Sequence, residues 1–259
     1  MQNPLPDPHS SIWRYMDFPR FVAMLEYQGL FFTIANQMDD RFEGSLMLPT
    51  PENLERLRAV LKQQGIAPER DYDNLVQQLR RCVAISCWHS NEDESAAMWK
   101  LYSAQQQAIA IRTTYSKLQS ALSRNPSVVL TPVRYVTNNK DDAPFDSIFS
   151  AFLYKERSFQ FEHEVRAIIT DLHCLHPNGS DAPTAREGNW VQVDLETLID
   201  TIVIAPDAER WYFDLVRRVT KHYGLSKPVQ QSRLARPFPE EKSSAPGSPC
   251  AESSGRMWG

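Results

Sequence analysis

The chain has 259 residues, of which 42% are hydrophobic and 23% charged, with a formal net charge of −4. This is the balance of an ordinary globular protein with room for a sizeable core, and it supplies no global basic field for DNA or an anionic membrane. No apolar run approaches the roughly 20 residues of a membrane span, and the start Met1-Gln2-Asn3-Pro4 lacks the basic and apolar parts of a signal peptide.

Residues 1–10 are proline-rich and predict a flexible leader. Ser11–Met16 predicts a short strand. Asp17 then caps a helix carrying Pro19 near its start and Phe18, Phe21, Val22 and Leu25 at helical spacing, with Gly29 as its left-handed end. Leu30–Ile34 predicts a second strand, followed by an acid-rich loop from Asn36 to Gly44. Pro51 opens a helix lined by Leu54, Leu57, Val60 and Leu61, and Leu75, Val76 and Leu79 mark another. Val83–Trp88 reads as a buried strand, 95–103 as a helix, Ala108–Arg112 and Val128–Val136 as strands, and 146–157 as a helix. Phe159–Ile169 reads as one strand, 190–194 and 201–205 as strands, Ala208–Tyr223 as a helix ended by Gly224, and Val229–Leu234 as a last strand. Residues 237–259, rich in Pro, Ser and Gly, predict a disordered tail. Residues 11–236 then form one α+β domain, with no linker-like break.

Within Phe159–Ile169, strand alternation puts Glu162, Glu164 and Arg166 on one face and Phe159, Phe161, His163, Val165 and Ile169 on the other. Two carboxylates two residues apart on one strand face lie about 7 Å apart. Their repulsion is relieved by a cation, by a metal, by a substrate with developing positive charge, or simply by Arg166 on a solvated face. Other unusual polar residues cluster in Trp13-Arg14-Tyr15, in Asp39-Asp40-Arg41-Phe42-Glu43, and in Ser86-Cys87-Trp88-His89 with Met98–Tyr102. Arg14 is either a structural partner of a carboxylate or a clamp for phosphate or carboxylate. Asp39, Asp40 and Glu43 suit a divalent cation or a solvated loop, and the full calcium-loop pattern is absent. Trp99 and Tyr102, three apart on a helix, either pack in the core or stack on a ligand. There is no Gly-rich phosphate loop and no Gly-x-Ser-x-Gly elbow. His89, His163 and His173 lack metal-type spacing and read as surface or core residues. Cys82, Cys87, Cys174 and Cys250 likewise show no metal spacing, so reduced thiols and a cytoplasmic location are expected.

Several motifs together resemble the bacterial family labelled domain of unknown function 2971. They are Trp13-Arg14-Tyr15-Met16, Gly29-Leu30-Phe31-Phe32, Asp40-Arg41-Phe42-Glu43, Ser86-Cys87-Trp88 with Met98-Trp99-x-x-Tyr102, Val133-x-Tyr135, and Lys155-x-x-x-Phe159-x-x-Glu162-x-Glu164-x-Arg166. Cys87 and Val165 depart from its usual aromatic residues. The order of Arg14, the helix to Gly29-Leu30, Ser86 and Glu162-x-Glu164 is also similar to that of NAD-dependent ADP-ribosyltransferases, whose Ser-Thr-Ser element is not intact here. That likeness implies a single α+β domain of twisted, mostly antiparallel sheets flanked by helices. It implies NAD as substrate, transfer of ADP-ribose to a protein or nucleic-acid acceptor or to water, and by analogy a toxin or phage-defence effector. By the same likeness Glu164 faces the oxocarbenium charge and Glu162 activates the acceptor. Arg14, Tyr15, Ser86, Trp99 and Tyr102 then hold NAD.

Two other functions stand against it. A metal-dependent nuclease would gather Asp39, Asp40, Glu43 and Glu164 around Mg²⁺. A non-catalytic interaction module would use the Arg/Glu islands as a buried ion network.

Overall fold

The computed structural model describes residues 5–38, 51–63, 65, 72–102, 107–137, 152–171 and 188–235. Nine strands form one sheet: β1 (Ser11–Asp17), β2 (Gly29–Ile34), β3 (Val83–Ser90), β4 (Ala108–Thr114), β5 (Val128–Pro132), β8 (Glu164–Thr170), β9 (Gly188–Gln192), β10 (Thr201–Ile204) and β11 (Val229–Gln231). Every pairing in it is antiparallel except that of β10 with β11. Strands β6 (Arg134–Val136) and β7 (Tyr154–Glu156) form a small parallel pair. Among the described residues the helices are α1 (Phe18–Tyr27), α2 (Pro51–Gln63), α3 (Tyr72–Arg81), α4 (Ala96–Tyr102), α5 (Tyr115–Leu122), α6 (Leu195–Leu198) and α7 (Arg210–His222). The architecture is thus mixed α and β around a mostly antiparallel sheet.

The pairing of β3 shapes the cleft described below. One edge of β3 is zipped to β8 from Val83↔Thr170 to His89↔Glu164. Its other edge is shared: β2 pairs with Ala84 and Ile85, while β1 pairs with His89 and Ser90. Ser86, Cys87 and Trp88 lie between these two contacts, where β1 and β2 have diverged and the sheet splits. Strand alternation adds a second division. Val83, Ile85, Cys87 and His89 share one face, and Ala84, Ser86 and Trp88 the other. The second face joins the main core with Phe21, Leu25 and Ile111. The first meets a smaller cluster of Leu61, Leu75, Leu79 and Phe152.

Asp17 caps α1, accepting a hydrogen bond from the Arg20 N–H at 2.8 Å, as its position before an amphipathic run requires. The left-handed end of α1 is Gln28 (φ 48°) rather than Gly29, which already belongs to β2. Gly29 is needed for a different reason. A Cβ there would stand 2.7 Å from the Val191 carbonyl oxygen on β9. Gly29→Ala should therefore force β2 from β9 and lower stability by about 1–3 kcal/mol, measured by urea unfolding; an unchanged midpoint would show that the strands yield freely.

Three sequence expectations change in the centre of the chain. The run 128–136 is two strands in two sheets, because Pro132 cannot donate to a continuing ladder and ends β5 at an edge. Of the helix expected at 146–157, residues 146–151 lie outside the described residues and Tyr154–Glu156 is strand, paired in register with Arg134–Val136. The strand expected from Phe159 begins only at Glu164. Arg157–Glu162 is a 3₁₀ turn ended by His163 in the left-handed conformation (φ 39°). Helices α5 and α6 were not foreseen. The tail from 237 lies outside the described residues.

Candidate active site

A cleft of about 1540 Å³ opens at the split in the sheet, and its walls include Arg14, Tyr15, Tyr102, Glu162 and Glu164. Five of the seven residues expected in the site are thereby brought together. Ser86 and Trp99 are not on its walls. Ser86 is turned to the main-core face of β3 by the alternation that brings Cys87 and His89 to the face of Glu164. Trp99, 2% exposed, stands behind Tyr15, meeting its ring edge-on at 4.9 Å and donating Nε1–H to Glu94.

Arg14 projects from β1 into the gap. Its Nη2 donates to the Phe31 carbonyl of β2 at 2.7 Å, and its guanidinium lies 5.7 Å from the centre of the Trp88 ring. It therefore braces the two strands that part from each other. Burial lowers its pKa to about 10, so it remains a cation at neutral pH. Tyr15 and Tyr102 stack with centroids 6.2 Å apart and form an aromatic wall beside it. Burial raises both phenols to about 12, which keeps them neutral.

Glu162 and Glu164 do not share a strand face, since Glu162 belongs to the 3₁₀ turn. Lys155 of β7 brings them together instead. Its Nζ lies 2.6 Å from Glu162 and 3.6 Å from Glu164, and 4.8 Å from the Phe159 ring centre. Arg166, fully buried, makes a two-pronged contact: Nε to Oε1 of Glu164 at 2.8 Å and Nη2 to Oε2 at 2.9 Å. Its Nη1 donates to the Phe152 carbonyl. The solvated face that would have left these charges in water is replaced by a nearly buried network, Glu164 being 6% exposed.

The two carboxyls consequently diverge in acidity. Burial alone would raise Glu164, but Arg166, Lys155 and a hydrogen bond from Cys87 hold it down to about 2. Burial raises Glu162 above the ordinary glutamate value, against the pull of Lys155. Burial would lower Lys155, yet Glu164 and Glu162 hold it well above its ordinary value. The site thus pairs a permanently ionised carboxylate with one that takes up a proton more readily. The backbone N–H of Glu164 donates to the Tyr135 hydroxyl at 2.8 Å, which ties the start of β8 to β6.

Cys87, His89 and Lys155 are cleft residues that the sequence reading did not assign to the site, although Lys155 stands in the motif ending at Arg166. Strand parity was the available signal for the other two: once Glu164 pairs with His89, residues 87 and 89 must share its face. Cys87 is not in a disulfide and donates to Glu164, whereas Cys82 is disulfide-bonded. The second departs from the expectation of reduced thiols, because sequence spacing does not report which sulfurs the fold brings together. Asp39, Asp40 and Glu43 lie outside the described residues. Among the described residues, no group of three His, Cys, Asp or Glu side chains is placed to hold a metal ion. Among them too, no helix is long and apolar enough to cross a membrane.

No family model matches the chain, so membership in the family labelled domain of unknown function 2971 is not shown, and no curated protein matches it. Among solved structures the chain is similar to DarT of Thermus sp. 2.9 in complex with NAD⁺, at 10% identity over 89% of this chain and 98% of that one, with a TM-score of 0.39. The same protein in complex with ADP-ribosylated ssDNA gives 8% identity over 90% and 98%, with a TM-score of 0.40. With carba-NAD⁺ the values are 11% identity over 88% and 97%, with a TM-score of 0.38.

Proposed function

We propose that the protein is an NAD-dependent ADP-ribosyltransferase-like enzyme that transfers ADP-ribose to a macromolecule, protein or nucleic acid, with water as the competing acceptor. The observation that carries this reading is the pair of carboxyls with opposed acidity lining the same aromatic-walled cleft as an arginine. The cleft exceeds the 300–1,000 Å³ range usual for small-ligand pockets, which suits a dinucleotide. Arg14 offers a planar fork to the diphosphate, and Tyr15 and Tyr102 offer a wall to a planar ring.

The chemistry follows from charge. The bond from ribose C1′ to the nicotinamide nitrogen breaks, and its electron pair leaves with the nicotinamide, neutralising the ring. Positive charge then develops on the ribose. Glu164, ionised at every working pH and itself nearly buried, stabilises that charge. The acceptor lone pair bonds to C1′, and the acceptor proton passes to the carboxylate of Glu162, whose raised pKa favours uptake. A transferase that modifies cellular macromolecules in this way is suited to act as a toxin or phage-defence effector.

The test is free nicotinamide released from NAD by the purified protein, with and without chelator. Release that survives chelation supports the reading, and chelator-sensitive cleavage of nucleic acid without NAD would replace it by the nuclease. Arg14→Lys should raise the KM for NAD at least several-fold, because an ammonium lacks the planar fork; an unchanged KM would remove Arg14 from the diphosphate.

One observation favours a second reading. The Arg166–Glu164–Lys155–Glu162 chain is buried and internally paired, as a purely structural network in a non-catalytic interaction module would be.

A further inference from the structure

His89 is 2% exposed and stands on the cleft wall. Its Nδ1 lies 2.5 Å from the main-chain carbonyl of Glu162. A carbonyl only accepts, so Nδ1 carries the proton and Nε2 bears a lone pair. That Nε2 is buried and has no hydrogen-bond partner among the described residues. Buried polar atoms are overwhelmingly paired, and one left without a partner in a residue that lines a cleft calls for a missing partner. Burial lowers the pKa of the ring, the Glu162 carbonyl opposes this and His163 reinforces it, so the imidazole stays neutral and the lone pair stays available.

The position of the ring says which partner. His89 pairs directly with Glu164 across β3 and β8, and it is bonded to the main chain of Glu162. It therefore belongs to the corner that holds both carboxyls, and its partner on β1 is Trp13, next in the chain to Arg14. On the side of β1, Tyr15 presents its ring edge at 6.0 Å, and on the side of the 3₁₀ turn His163 does so at 6.1 Å.

We propose that His89 Nε2 accepts a hydrogen bond from the incoming acceptor, and so restricts transfer to acceptors bearing an N–H or O–H donor next to the attacking atom. This rests on the NAD reading above. A nucleobase with an exocyclic amine, a ribose hydroxyl and a protein amide or hydroxyl all carry such a donor, whereas a group with acceptors alone is rejected by lone-pair repulsion.

Two near-isosteric replacements separate this role from a structural one. In His89→Asn the amide reproduces the Nδ1–H donor to Glu162 and leaves nothing at the position of Nε2. In His89→Gln the amide oxygen reaches the position of Nε2 while the bond to Glu162 is given up. NAD labelled in its adenylate half is supplied to each protein with denatured DNA, total RNA or a soluble protein extract as separate acceptor probes. The readout is label transferred per nicotinamide released, alongside the thermal midpoint. The expected result is a fall in that ratio of about tenfold or more in His89→Asn, with the ratio largely restored in His89→Gln. The reverse order, with Asn like wild type and Gln impaired, would assign His89 to fold maintenance and overturn the inference. Equal ratios in all three proteins would overturn it as well, as would a wild-type protein that only hydrolyses NAD. A wild-type protein that releases no nicotinamide would instead refute the NAD reading itself.

Discussion

Replacing Glu164 by Gln is expected to lower NAD turnover by about 10²–10³, the effect of removing one preorganised electrostatic group from a developing charge. The substitution is nearly isosteric and keeps an oxygen for Arg166, so the protein should remain folded with NAD still bound. Glu162→Gln should behave differently, lowering label transferred per nicotinamide released because the acceptor loses its proton acceptor. The pH profile carries the same distinction. Glu162 must be deprotonated to act, and its pKa is raised by burial, so transfer should fall with decreasing pH at a point above the ordinary glutamate range. Glu164 stays ionised down to about 2 and adds no limb in that region. Equal and small losses in both variants would leave the ion network as purely structural.

The largest stability effect should come from Arg166→Met. Arg166 is fully buried and satisfies both oxygens of Glu164. Its removal leaves a buried carboxylate with Lys155 at 3.6 Å and the hydrogen bond from Cys87. Breaking a buried pair from one side costs about 3–5 kcal/mol, and at about 2–4 °C per kcal/mol for a domain of this size the thermal midpoint should drop by about 6–20 °C. Adding Glu164→Gln to Arg166→Met should recover part of the loss, since the orphaned charge is then gone. Linkage gives a further sign. A carboxyl whose folded pKa is depressed contributes stability above its unfolded value, and this contribution disappears as pH falls through the folded value near 2. The wild-type protein should therefore keep this share of its stability well into acid, while Glu164→Gln lacks it at every pH. A midpoint shift below 2 °C in Arg166→Met would mean that the pair is not coupled to folding.

Much of the scaffold was legible because its signals are local. Asp17 before Phe18-Pro19 gives a capped helix, and the apolar runs at 11–16, 30–34, 83–88 and 201–205 give strands within a residue or two of where the structure has them. The candidate cleft was legible only in part. Arg14, Tyr15, Tyr102, Glu162 and Glu164 were found as residue types, but the way they meet depends on pairings between distant strands. Phe159 and Phe161 suggest a strand by propensity, yet tertiary contacts fold 157–162 into a 3₁₀ turn, anchored by the bond between His89 and the Glu162 carbonyl. That one turn moves Glu162 off the strand and makes Lys155 the bridge between the carboxyls. Ser86 was chosen by motif, whereas the parity of β3 selects Cys87 and His89. The split between β1 and β2, which opens the cleft, leaves no mark in either strand taken alone.

A crystal structure of the Glu164→Gln variant with NAD tests the central claim most directly, since slowed cleavage preserves the intact dinucleotide. The account predicts the nicotinamide ribose at residue 164, within hydrogen-bond reach of its amide, with the diphosphate on Arg14 and the nicotinamide ring against Tyr15 or Tyr102. NAD absent from the cleft at saturating concentration, or bound elsewhere while Lys155 and Arg166 seal residue 164 from any ligand, would contradict it.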